Sequence, residues 1–176
     1  AEHLGSYTCE LSRAYAADHL DDPPRLLALA ASCAILESSL PEREPHPVLF
    51  DGLEGLLAGL GREGWAADYV RWEVLVLAEL GFGLDFSQCA VTGVTEDLIY
   101  VSPRTGRAVS ADAGAPYGDR LLALPEFLAN AEGAALGAAD IRDGLKLTGH
   151  FLNAHVFAPD GHGLPAVRSQ LIEGFR

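Results

Sequence analysis

The sequence predicts a mainly α fold: an antiparallel helical domain with a small β-hairpin insertion. Two observations predict the helices. Apolar residues recur at helical spacing along most of the chain, and the breaks between these stretches are short and rich in proline and glycine. A third predicts the insertion. Leu98 to Val101 reads as a strand, Pro103-Arg104-Thr105-Gly106 as a turn, and Arg107 to Ser110 as the return strand.

In chain order, residues 1–20 carry Leu11, Ala14, Tyr15 and Leu20, a weak helical stripe. Asp22 then caps a stronger helix with Pro23 at its first position, where a missing N–H costs nothing. Its expected core face is Leu26, Leu29, Ala30, Cys33 and Leu36, which makes Cys33 a small core hydrophobe. Residues 40–47 hold three prolines and form a connector. A second helix is expected over Val48 to Leu60, with Leu49, Leu53, Leu56, Leu57 and Leu60 on one side. A third is expected over Trp65 to Leu80. From Trp72 onward it is apolar on almost every side, with only Glu73 and Glu79 interrupting, so neighbours should bury it on several faces. Gly81 supplies a left-handed residue to close it.

After the hairpin, Leu121 to Leu128 reads as a short apolar element broken at Pro125, and residues 130–138 read as a loop. Ala139 to Phe157 is expected to be the last long helix, apolar at Ile141, Leu145, Thr148 and Leu152. Leu164 to Phe175 adds a short terminal one. No internal repeat and no coiled-coil heptad is evident.

At 176 residues the chain makes one domain, long enough to bury roughly 70% of its unfolded surface. A hydrophobic content of 49% with 21% charged residues is that of a globular protein. The apolar run from Leu26 to Leu36 is far short of the ~20 residues of a membrane span. Ala1-Glu2-His3 has neither the basic nor the apolar region of a signal peptide. The three cysteines lack CxxC spacing, which suits reduced thiols and a cytoplasmic location. The sequence has no methionine, even at position 1, and so reads as a piece of a longer chain or a processed one. The net charge of −13, from 12 Lys and Arg against 25 Asp and Glu, weighs against nucleic acid as the main partner of this segment.

Catalytic chemistry is not legible. Gly81-Phe82-Gly83-Leu84-Asp85-Phe86 starts like a dinucleotide fingerprint, but Phe86 stands at the third glycine and a helix, not a strand, precedes it. His150 and His155 lie five apart, about 140° around a helix, a poor metal pair. His155 is expected to be a half-buried helix-end residue. Glu42/Glu44 and Glu96/Asp97 read as solvated turns. The expected protein is not an enzyme and carries no cofactor. Cys89 is the one ambiguous residue. A zinc ribbon would place thiolates at positions 89 and 92 and a second pair after the hairpin, yet Thr92, Ser110 and Ala113 occupy those separations. The insertion resembles a ribbon that has lost its metal, so no metal is expected.

Several stretches, in order, resemble the RecO family of DNA repair proteins. They are Leu40-Pro-Glu-Arg-Glu-Pro45, Leu49-Phe50 with Leu53, Trp72-Glu73, and Leu80-Gly81-Phe82. Cys89-x-x-x-Gly93, Tyr100-Val-Ser-Pro103 with Gly106, and Leu147-Thr-Gly-His-Phe-Leu152 with His155 complete the series, over about residues 9–172. The resemblance implies a non-catalytic mediator of recombinational repair in the RecF pathway. Such a mediator binds and anneals DNA, partners with RecR, and engages the acidic tail of the single-stranded DNA-binding protein. It also implies an N-terminal OB-fold that carries much of the DNA binding, followed by a helical domain that often holds four zinc-binding cysteines. Residues 1–176 read as that helical domain, with a zinc-ribbon-like insertion over 87–116. A helical regulatory or scaffold domain of another assembly, with no DNA role, is the alternative. No membrane contact is expected.

Arg142, Lys146 and His150 recur every four residues on the last long helix and so line one stripe. They are the expected partner-binding residues: a cationic row beside an apolar groove would receive an acidic peptide with an apolar end.

Overall fold

The computed structural model describes residues 6, 8–130 and 136–175. It is mainly helical, with one small antiparallel sheet. The weak N-terminal stripe does not become a helix. Residues 1–5 and 7 lie outside the described residues, and Tyr15–His19 forms a single 3₁₀ turn. Leu11 and Leu20 are 81% and 70% exposed, so no packing supports a longer helix there.

Helix α1 (Pro23–Ser39) begins as expected: the Asp22 side chain accepts from the Arg25 N–H at 3.3 Å. Its buried face differs. Ala28, Ala31, Ser32 and Ile35 are buried, Leu26, Leu29 and Leu36 are half-buried, and Ala30 and Cys33 are exposed. Reading the leucines as the centre of the face put it off by part of a turn. The small residues are central because α1 lies against the C-terminal helix α7 (Ala166–Glu173), where short side chains let two helices approach. Cys33 is therefore a surface thiol.

Helix α2 (Pro47–Gly59) buries Leu49 and Leu56, and Leu60 just beyond it, with Leu53 and Leu57 at the margin. Helix α3 (Trp65–Glu79) runs through the centre, against α2 on one side and α6 (Ala138–Phe151) on another. Val70, Trp72, Val76 and Leu77 are buried, and so is Glu73. The helix closes with Gly81 at φ +87°, Phe82 N–H to Leu77 C=O at 2.8 Å and Gly81 N–H to Ala78 C=O at 3.0 Å. That pair of bonds satisfies two terminal carbonyls and needs a left-handed residue, hence glycine.

Strands β1 (Leu98–Val101) and β2 (Ala108–Ser110) form the expected hairpin, with a register irregularity between Leu98 and Tyr100. A one-turn helix, α4 (Ala111–Gly114), follows it. The expected apolar element at 121–128 divides in two. Leu122–Ala123 is a third strand, β3, paired antiparallel with β1 through Tyr100↔Ala123 and Val101↔Leu122, and Glu126–Ala129 is a short helix, α5. The sheet order is β2-β1-β3. Residues 131–135 of the expected loop lie outside the described residues. The last long helix is α6 followed by a π-helical turn, Leu152–Phe157, and a 3₁₀ turn, Ala158–Asp160. Helix α7 lies within the expected terminal segment.

Candidate functional site

Helix α6 starts with Gly137 N–H donating to Asp140 Oδ2 at 3.0 Å and buries Ile141, Leu145, Leu147 and Phe151. That face fixes the opposite one, which carries Arg142, Lys146 and His150. The three do not form a row of free cations. Arg142 is half-buried and has no ion-pair partner among the described residues. Lys146 pairs with Asp143 at 3.0 Å. His150 is exposed and its Nε2 lies 3.1 Å from the Pro103 carbonyl, so this nitrogen carries the proton and donates. The stripe thus ends by gripping the β1–β2 turn.

A ring stack continues the surface beyond His150. The His150 ring meets Phe151 edge-on at 5.0 Å. His155 lies parallel to Phe151 at 6.0 Å and to the exposed Phe82 ring at 5.0 Å. His155 lies in the last turn of the π segment, at a helix end as expected, but is exposed rather than half-buried. Phe151 and His155 are four apart, a spacing at which helical side chains lie on one face, so the ring contact carries that face on into the π turn.

Inside the same helix lies a buried polar cluster that sequence reasoning did not find. Arg168 from α7 donates Nε–H to Glu73 Oε1 at 2.6 Å and Nη2–H to Glu73 Oε2 at 2.8 Å. It also donates from Nη2 to the Leu145 carbonyl at 2.7 Å. Thr148 Oγ1 donates to Glu73 Oε2 at 2.5 Å. Burial opposes the Arg168 charge, but the Glu73 carboxylate outweighs it and raises the guanidinium further above its ordinary range. Burial first, then Glu73, pushes the neighbouring Tyr69 phenol well up, with Arg168 opposing. The Gly149 position leaves room for the guanidinium: a Cβ there would stand 2.7 Å from Arg168 Nη1. The available signals were a lone glutamate amid apolar residues and the Thr-Gly pair on an otherwise apolar face.

The insertion brings Cys89, Thr92 and Ser110 together. The buried Cys89 sulfur accepts from Ser110 N–H at 3.3 Å and from Ser110 Oγ at 3.4 Å. Burial pushes its thiol up, but the hydrogen bonds from Ser110 and Thr92 prevail and bring it down to about 6. Ala113 sits in α4, which follows Ser110, and its methyl side chain offers no ligand atom. Among the described residues no group of three or more His, Cys, Asp or Glu is placed to hold a metal.

A family model described as "Recombination protein O C terminal" matches residues 20–162. The chain belongs to the RecO family. It is 54% identical to the DNA repair protein RecO of Rhodospirillum centenum, covering 99% of this chain and 70% of that one. Similarity to the DNA repair protein RecO of Rhodospirillum rubrum is 51%, over 99% of this chain and 72% of the relative. The RecO of Caulobacter vibrioides strain NA1000 is 48% identical over 97% and 70%. No solved structure matches the chain significantly. RecO proteins are non-catalytic DNA repair and recombination mediators. Much of the RecO-like Leu147–Leu152 run now has a structural role: Thr148 bonds Glu73, Gly149 clears Arg168, His150 holds the hairpin turn and Phe151 anchors the ring stack. Among the described residues, no helix is long and apolar enough to cross a membrane.

Proposed function

We propose that this chain is the helical, partner-docking part of a recombination mediator of the RecF pathway. In the full-length protein an OB-fold would carry most of the binding and annealing of DNA. The helical part would dock RecR and receive the acidic tail of the single-stranded DNA-binding protein in the cytoplasm. Its insertion, residues 87–116, is a degenerate zinc ribbon in which hydrogen bonds to Cys89 stand in for metal–thiolate bonds.

The observation that carries the docking role is the His150–Pro103 hydrogen bond. It joins the Arg142/Lys146/His150 stripe to the insertion, so cations and apolar rings form one continuous surface. Arg142 and Lys146 supply positive charge to carboxylates; Phe82, His155 and the hairpin turn supply apolar contact along the peptide. Lys146 must exchange Asp143 for the ligand, which limits what it contributes. Pairs this exposed are worth little at rest, on the order of 0–1 kcal/mol, so the exchange is inexpensive.

Replacing Arg142 and Lys146 together by alanine should weaken binding of an acidic, apolar-ended peptide at least about tenfold, roughly 1.4 kcal/mol. The Tm should hardly move. A folded double variant with unchanged peptide affinity would reduce the stripe to solvated surface and favour a scaffold role without a peptide ligand.

A further inference from the structure

We infer that a groove on the β insertion, just across Pro103 from the stripe, seats the apolar anchor of an acidic peptide segment, with Arg104 and Arg120 taking the carboxylates beside that anchor. This rests on the reading of the stripe as an acidic-peptide site and extends that site across the hairpin turn. The groove encloses about 410 Å³ between the turn after Cys89, the β1–β2 turn and the segment that follows α4. Val91, Pro103, Val109 and Leu121 make it apolar, and Tyr117 stands at its rim, 55% exposed. Val91, at the groove's edge, is 70% exposed and so open to an incoming side chain.

Charge selects the occupant. Arg25, Arg71, Arg107, Arg168 and Lys146 each have a carboxylate partner. Arg104 and Arg120, both exposed, have none among the described residues, in a chain of net charge −13. Two unpaired guanidinium groups flank one apolar groove. Planar guanidinium matches carboxylate through paired hydrogen bonds. The apolar lining selects a side chain over a sugar–phosphate backbone. A nucleic acid strand would also bring a phosphate at every residue against the acidic surface, whereas a short peptide brings only a few carboxylates. Because Pro103 both lines the groove and accepts from His150, one extended segment can lie on the stripe and end in the groove.

The test uses the whole chain and two fluorescein-labelled, aspartate-rich peptides, one ending in two phenylalanines and its twin ending in two alanines. Wild type should favour the phenylalanine peptide by about tenfold or more. Val91→Asp, a change at an exposed position, should bring the two affinities within about threefold. Arg104→Ala with Arg120→Ala should weaken the phenylalanine peptide about tenfold. Arg142→Ala with Lys146→Ala should weaken both peptides alike and leave their ratio intact. If the Val91 and Arg104/Arg120 variants keep wild-type affinity and ratio, the groove is not the anchor site, while the stripe still binds. If wild type binds neither peptide, the stripe reading fails and the groove inference with it. If the Arg104/Arg120 variant instead loses binding to labelled oligothymidine and keeps the peptides, the groove serves nucleic acid and the inference is overturned.

Discussion

Arg168 and Glu73 lie 95 residues apart in sequence and are joined by two hydrogen bonds of 2.6 and 2.8 Å in the core. The pair ties the C-terminal helix to the central one, with α6 supplying Thr148 and the Leu145 carbonyl to complete the set. Removing either charge leaves the other buried and unpaired. Arg168→Met should therefore lower unfolding stability by about 3–5 kcal/mol, measured by urea titration. A joint Glu73→Leu and Arg168→Met change should recover much of that loss, because an apolar pair of similar volume needs no desolvation. A loss below about 1 kcal/mol in the single variant would show that the pair is not closed in solution.

Gly149→Ala tests how closely Arg168 lies on α6. The added methyl would stand 2.7 Å from Nη1 and displace the guanidinium from Glu73. Alanine is otherwise the better helix former, so on an open surface the change would stabilise. Here it should cost about 1–3 kcal/mol. In an Arg168→Met background the cost should shrink by more than about 0.5 kcal/mol, the signature of contact in a double-mutant cycle. Equal costs in both backgrounds would place the clash elsewhere.

Cys89 makes the insertion pH-sensitive. Its thiol, ordinarily near 8.5 in an unfolded chain, is held at about 6 by donors on Ser110 and Thr92. A depressed acid stabilises the fold fully above its unfolded value and loses that contribution as pH falls through the folded one. Stability should rise between about pH 6 and 8.5, and Cys89→Ser should flatten that part of the profile. The part of the native protein's thiolate ultraviolet absorbance that Cys89→Ser removes should titrate near 6. A midpoint at or above the ordinary thiol range would refute the hydrogen-bonded thiolate.

The same site should hold no structural zinc. One thiolate and two hydroxyls cannot replace the four ligands that give such sites roughly 10–16 kcal/mol of folding energy. Packing takes over in the insertion, where Val101, Ala108 and Val109 are buried. Metal analysis of protein purified without chelator should find far less than one zinc per chain; a stoichiometric amount would contradict the degenerate-ribbon reading.

Where local chemistry was unambiguous, the sequence was readable. Asp22-Pro23 set the start of α1, Gly81 the end of α3, and two short strand-forming runs around the Pro103–Gly106 turn set the hairpin. Three features were hidden. The face of α1 is centred on Ala28 and Ser32 because α7 packs there, which no local pattern in α1 reveals. Strand β3 is two residues long and exists only because β1 offers a free edge. The Glu73–Arg168 pair joins residues 95 apart, and although Glu73 interrupts an apolar stretch, nothing local names Arg168 as its partner. Of the site, the Arg142/Lys146/His150 stripe was legible from spacing. Its link to Pro103 and the stacking of Phe82 on His155 were not, since both join residues far apart in the chain.

The chain by itself should be a poor DNA binder. Non-specific affinity comes from cations that displace counterions at phosphates, and this protein has 12 Lys and Arg against 25 Asp and Glu. Several of those cations are already committed: Arg13, Arg25, Arg71, Arg107 and Lys146 pair with carboxylates on the surface, and Arg168 is buried. Exposed rings that could stack bases, Phe50, Phe82 and Tyr117, are not interleaved with a basic track. Titrating labelled single-stranded DNA at ~0.15 M salt should give a Kd no tighter than about 10⁻⁴ M, the weak end of non-specific binding. Lowering the salt should strengthen it only modestly, because few phosphates are contacted. A micromolar complex with a steep salt dependence would mean that a local basic surface, with Arg104, Arg120 and Arg142 as its candidates, outweighs the charge of the whole.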